Sequence, residues 1–218
     1  MELFVEAALA ENTGNKRRLD DSALSPKVRQ SSLLIPGGTT RADSIKQDKQ
    51  LTMLIGLLSD SHSNAAILRR GVSLLIKEGA EALVHCGDIE AADQVSILGA
   101  ASTPAYLAAG NMDRPASLAK TAKKYGVTFA ADFVAVPLGE GEYLVALHGD
   151  NEADFTELVQ GGQFPYVCHG HTHRCADQTI DNVRVICPGS LAHPRGPKHP
   201  TVAILNTETD SLKFFEVL

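Results

Sequence analysis

From residue 53 onward the chain alternates short continuous apolar runs with stretches of helical period. MLIGLLS (53–59) is apolar throughout, as expected of a strand covered on both faces. AAILRRGVSLLIKEGA (65–80) spaces Ile67, Leu68, Val72, Leu75 and Ile76 at helical intervals, with Gly79 placed as a C-terminal cap. ALVHC (82–86) predicts a second strand, Asp93–Ala101 a second helix and PAYLAAG (104–110) a third strand. Pro115–Tyr125 predicts a third helix with proline at its first position.

The rhythm then changes. FVAVPLG (133–139) and EYLVALHG (142–149) read as strands joined by the turn Gly139-Glu140-Gly141. A short helix over 152–160 precedes the strand YVCH (166–169). The rest, DQTIDNVRVICPGS (177–190) and TVAILNTETDSLKFFEVL (201–218), is strand-rich, with turns at Asp181-Asn182 and Thr209-Asp210. An α/β first half and a β-rich second half imply two sheets packed face to face with helices outside. No internal repeat interrupts this order.

Residues 1–52 lack such periodicity and read as a disordered or non-essential extension to a domain over 53–218. The extension holds eight Lys+Arg and seven Asp+Glu, leaving 12 basic and 19 acidic residues in the domain, a net of −7. LysArgArg at 16–18 resembles the start of an export signal, but no apolar segment follows, so secretion is not expected.

At 44% hydrophobic and 21% charged, the composition is that of an ordinary globular domain without a membrane span. A net charge of −6 argues against general nucleic-acid binding, yet not against a phosphorylated substrate, because bound cations invert the local sign. Cys86, Cys168, Cys175 and Cys187 form no CxxC pair and fit a reducing, cytoplasmic setting. Cys168 and Cys175 flank a histidine cluster but are read as ordinary buried thiols rather than zinc ligands. A homo-oligomer is compatible with all of this.

Seven side chains sit just past apolar runs: Asp60, His62, Asp88, Asn111, His148, His171 and His173. Strand carboxyl ends are where ligand crevices form in α/β sheets. Singly, each motif has an ordinary explanation. Asp60 could cap the following helix, and Gly87-Asp88 and Gly110-Asn111 could be plain turns. His169-Gly-His171-Thr-His173 is harder to explain as packing, since histidine is the commonest metal ligand near neutral pH. Divided between two ions with Asp88 shared, the set gives Asp60, His62, Asp88 and His173 at one, and Asp88, Asn111, His148 and His171 at the other. Asp88, Asn111 and His148 are taken as the catalytic members. Two cations about 3.5 to 4 Å apart can hold a bridging hydroxide and clamp a phosphoryl group for in-line attack. Mixed nitrogen and oxygen ligands suit Mn, Fe, Zn, Co or Ni, and ligand type alone does not choose among them; Mn is taken as the first candidate.

The order Asp-x-His, Gly-Asp, Gly-Asn-x-Asp, His-Gly, Gly-His-Thr-His resembles the calcineurin-like metallophosphoesterases, in particular their small YfcE-type phosphodiesterase branch. The resemblance spans about residues 53–218 and includes Pro188-Gly189-Ser190 and Pro194-Arg195. It implies a four-layer α/β/β/α sandwich of two mixed sheets, a pair of divalent ions, and hydrolysis of a small phosphate ester, a diester before a monoester. The same fold also serves as a non-catalytic metal-binding scaffold or protein-interaction module, which is the alternative.

Three positions depart from the family pattern. Met112 follows Asn111 where many members carry a histidine, and a thioether donates no proton. Asp150 stands where a second histidine is often found, and Cys187 replaces the Asn before Pro-Gly-Ser. Without that histidine, the leaving group is expected to depart through metal-ordered water. Asp113 is read as orienting a ligand, His85 as a core or supporting residue, and His169 as equally suited to orienting a ligand or contacting phosphate. LAHPRGPKHP (191–200), with His193 and Arg195, is read as a solvated surface loop, an overhang of the site being the second option.

Overall fold

A computed structural model of the protein describes residues 53–218; the extension assigned to residues 1–52 lies outside them. Strand β1 (Leu54–Leu58) leads into helix α1 (Ala65–Lys77), capped by Asn64, whose side chain accepts from Ile67 N. The cap is therefore not Asp60, which is left free for other work. Gly79, at φ +93°, turns the chain out of α1 as the sequence pattern requires.

Strand β2 (Ala82–His85) follows, then a single 3-10 turn (Ala92–Gln94) that runs into α2 (Val95–Gly99). One regular helix was expected over Asp93–Ala101. Its start is tightened instead, with Ser96 Oγ bonded to the Asp93 carbonyl at 2.5 Å in the competition typical of serine near a helix end. Next come β3 (Ala105–Ala108) and α3 (Pro115–Tyr125), with Pro115 in its first turn. Strand β4 (Thr128–Ala130) has no counterpart in the sequence reading, because three half-exposed residues at a sheet edge leave no apolar run.

The second half comprises β5 (Phe133–Gly139), β6 (Glu142–Leu147), α4 (Glu152–Gly161) and β7 (Tyr166–Cys168). After these come β8 (Cys175–Ile180), β9 (Val183–Pro188), β10 (Thr201–Asn206) and β11 (Ser211–Glu216). One mixed sheet has the order β11-β10-β1-β2-β3-β4 and the other β5-β6-β7-β9-β8. These are the two sheets expected.

Strand alternation assigns the layers. Ile55 and Leu57 of β1 enter the core between the sheets with Val84, Val136, Leu144 and Ile186, whereas Leu58 faces the helices with Leu68, Leu75, Leu98 and Leu118. Helix α4 closes the outer face of the second sheet through Leu158 and Val159 against Val145, Val167 and Val185. The result is an α/β/β/α sandwich, with each fully buried leucine contributing about 2 kcal/mol.

This topology also places the site. Strands β1, β2 and β3 run parallel in one sheet, and β6, β7 and β9 run parallel in the other. Each expected ligand follows the carboxyl end of one of these strands, so the two sheets deliver them to a shared edge.

Candidate metal centre

Beyond β1 and β2 the two chains stay tied together. Asp60 N donates to Gly87 O at 3.0 Å, His62 N to Asp88 O at 3.0 Å and Ser63 N to Ile89 O at 3.2 Å. This lacing supports an unusual backbone. Asp60, His62, Asp88, His171 and His173 have φ values of 54°, 43°, 57°, 64° and 60°, in the left-handed region. Such conformations in non-glycine residues cost about 1 to 3 kcal/mol each and gather at functional sites. Glycine is needed where chains press closest. A methyl group at Gly170 would collide with Ser59 Oγ and lie 2.8 Å from Asp60 Oδ2.

The side chains converge in two overlapping groups. Asp60, His62 and His173 form one and Asp60, Asp88 and His148 the other, each presenting ligand atoms within 4.8 Å of one another. His173 Nε2 is 3.1 Å from Asp60 Oδ1 and 3.4 Å from His62 Nε2. Asp88 Oδ2 is 3.3 Å from His148 Nε2 and 3.9 Å from His62 Nε2. Asn111 Oδ1 is 3.1 Å from His148 Nε2, and the His171 ring lies 5.1 Å from that of His148. All seven expected residues thus share one neighbourhood. The division differs from the expected one: Asp60, not Asp88, is common to the two groups, and Asp88 approaches the first only through His62 at 3.9 Å. His171 is outside both groups, at the rim.

Bracing fixes which atoms face inward. His62 Nδ1 is 2.8 Å from Glu90 Oε1, His148 Nδ1 2.9 Å from Cys86 O and His173 Nδ1 2.8 Å from His193 O. These acceptors call for a proton on each Nδ1, which leaves each Nε2 lone pair pointing to the centre. Asp88 is oriented in the same way. Met112 N donates to its Oδ1 at 2.9 Å, leaving Oδ2 for the centre. Asp113, expected to orient a ligand, accepts from Asp88 N, Glu90 N and Gly110 N at 2.9, 2.6 and 2.8 Å, and so joins the β2 and β3 loops.

Charge is concentrated here in a form that suits cations. Both Asp60 oxygens are buried without a hydrogen bond, a costly state unless another partner is intended. Burial pushes the Asp60 carboxyl up, but His173, Ser59 and the charge of His148 outweigh it and hold it below the ordinary value. Burial likewise raises Asp88, and His148 and the Met112 amide bring it down. For His148, burial works against protonation, yet Asp88 and Asp60 raise its pKa to about 8. The Asp60 carboxylate, 3.1 Å from its Nε2, raises His173 too. Ionised carboxylates among Nε2 atoms, Asp60 without a hydrogen bond, fit a divalent ion that replaces the imidazole protons.

The remaining sequence candidates separate clearly. His85 is buried in β2 and bonded to Ser61 Oγ at 3.1 Å, a supporting role as expected. His169 turns away from the centre and packs edge-on against Phe155, with its Nδ1 3.0 Å from Gly170 O. Burial lowers both rings to about 4, so both are neutral. The four cysteines are free, and none joins either group. His193 is exposed, but its loop lies on the site rather than apart from it, with the ring 5.3 Å from that of His62. Glu90 was missed altogether. Its one signal is spacing: Asp88-x-Glu90 repeats the strand-end pattern of Asp60-x-His62.

Comparison with known proteins agrees with this geometry. The calcineurin-like phosphoesterase superfamily domain matches residues 53–210. Phosphodiesterase MJ0936 of Methanocaldococcus jannaschii is 26% identical over 159 residues, which cover 72% of this chain and 94% of that protein. A structure described as a novel archaeal phosphodiesterase superposes with a TM-score of 0.67 at 25% identity, covering 75% of this chain and 99% of that one. YfcE, a phosphoesterase from E. coli, shares the fold with a TM-score of 0.54 at 20% identity, over 76% of this chain and 100% of its own.

Proposed function

The chain belongs to the calcineurin-like phosphoesterase superfamily, and from that membership we propose that it hydrolyses a small phosphodiester at a two-metal centre. One observation carries this reading. The buried Asp60 carboxylate, both oxygens without a hydrogen bond, faces the Nε2 side of braced histidines, beside an Asp88 oxygen left free for the same space. We assign Asp60, His62, Asp88 and His173 to one ion and Asp88, Asn111, His148 and His171 to the other, with Asp60 at their junction. Mn is the first choice of metal, and Fe, Zn, Co and Ni suit the same donors. The four free thiols favour a reducing compartment, the cytoplasm.

Divalent ions held by these residues would supply a polarised water as nucleophile and neutralise charge on the phosphoryl oxygens. The protein's own residues set the geometry. Asp88 holds one oxygen on the Met112 amide and presents the other toward both His62 and His148. Asn111 offers a neutral carbonyl oxygen beside His148, so the set around His148 and His171 gains a donor without further charge. Glu90 and the Cys86 carbonyl keep His62 and His148 in the tautomer that binds. Met112, 56% exposed at the rim, cannot protonate a departing alkoxide, which favours esters with acidic leaving groups. Preference for a diester draws support from the phosphodiesterase names among its relatives.

The test couples metal analysis to hydrolysis of an aryl phosphodiester, with Asp88→Ala as control. About two ions per chain and turnover lost in Asp88→Ala are expected. Bound metal with no turnover on any diester or monoester would point instead to a scaffold.

A further inference from the structure

The loop between β9 and β10 is fastened to the centre. Leu191 N donates to Ser59 O at 3.1 Å and Ala192 N to Asp60 O at 3.0 Å. Ser190 Oγ donates to Asp60 O at 3.2 Å and accepts from His193 N at 3.0 Å. Farther along, His173 Nδ1 donates to His193 O at 2.8 Å, and Arg195 N to His173 O at 2.8 Å. The backbone of His193 is therefore held by the segments that carry Asp60 and His173.

Its side chain is placed differently from theirs. The ring is exposed, 5.3 Å from the His62 ring at a tilt of 44° and stacked on His173 at 6.2 Å and 12°. It lies outside both groups of converging ligand atoms. Here an imidazole is held on the solvent side of the ligands without being one of them. A phosphate ester entering from solvent brings anionic oxygens to this face, and a neutral imidazole retains one N–H donor in either tautomer.

We propose that His193 is a substrate-contacting residue, whose ring N–H donates a hydrogen bond to a phosphoryl oxygen of an ester seated over Asp60, His62 and His173. The contact rests on the phosphoesterase reading and adds to it a recognition element on the β9–β10 loop. It binds an oxygen and transfers no proton.

Inorganic phosphate is the probe, titrated calorimetrically into the Mn-loaded full chain, beside titration of Mn into the metal-free chain. His193→Ala should leave Mn affinity within about twofold and weaken phosphate about five- to tenfold, the size of one neutral hydrogen bond. His193→Gln, which keeps an N–H donor, should recover part of that loss. A parallel fall in Mn affinity would make His193 a metal ligand and overturn the proposal. Phosphate affinity unchanged in His193→Ala, or absent from the parent chain, would overturn it too. Because phosphate binding is read without turnover, a chain that binds phosphate through His193 but cleaves no ester would sink the hydrolase reading alone.

Discussion

The two halves of the centre are built to different standards. Around Asp60, His62 and His173, every imidazole is braced, by Glu90 and by the His193 carbonyl, and the Asp60 carboxylate is wholly buried. Across Asp88, only His148 is equally enclosed, while Asn111 and His171 are exposed at the rim. An inner half with its ligands already in place loses little freedom when an ion arrives. An outer half whose rim residues must settle would lose more, so weaker binding is expected there, with its face open to solvent.

The largest expected effect tests that ranking directly. Metal titration of the metal-free protein should show two phases, and His173→Ala should remove the tighter one and lower kcat/KM by about three orders of magnitude. His171→Ala should spare the tight phase and erase the weak one. Equal losses from the two variants would abolish the distinction between the halves.

Next in size is the response to acid of the histidines behind each half, His85 behind the inner and His169 behind the outer. Unfolded, both titrate near 6.5; folded, both titrate at about 4. Between those values the unfolded chain binds more protons, so their contribution is full above pH 6.5 and is lost as pH falls toward 4. Each contributes about 3 kcal/mol at most. Denaturant melts of metal-free protein across pH 4 to 7 should show the slope, and His169→Gln should flatten it. A slope unchanged by that substitution would contradict the neutral, buried state of His169.

Removing a brace should cost less than removing a ligand. Glu90→Ala is expected to weaken the tight phase about 10- to 100-fold and leave the weak phase near its parent value, as read by metal titration. A loss confined to the weak phase would reverse the assignment.

The smallest effect belongs to the opposite end of the sandwich. Arg184 grips Asp177 with two contacts of 2.8 Å and reaches Asp210 Oδ1 at 2.7 Å, with Tyr166 OH on the same oxygen at 2.9 Å. Though densely bonded, the cluster is solvent-screened, so Arg184→Ala should cost under about 1 kcal/mol in a denaturant melt. Activity and both metal phases should be untouched.

Much of this was legible in the chain itself. Apolar runs located most strands because buried strands need continuous hydrophobic sequence, and α1 and α3 announced themselves through period, Gly79 and Pro115. The pattern failed at β4, where an edge strand needs little hydrophobicity, and at the start of α2, where a serine hydroxyl tightened the turn. In the site, the candidate ligands were readable from their order and shared strand-end placement, since each motif alone has an ordinary explanation. Supporting residues were only partly so: Asp113 and His85 were, whereas Glu90 is an ordinary polar residue whose importance comes from the His62 ring that lies opposite it.

The sequence by itself determined the donor inventory, the strand-end placement of every donor and the layer count, because these depend on residue type and local period. Tertiary structure alone decided that Asp60 stands between both groups, that Asn64 relieves it of capping, and that the β9–β10 loop brings His193 to the inner half. Those facts arise from contacts between residues as far apart as Asp60 and Ser190, and no local propensity encodes which distant backbone a loop will meet.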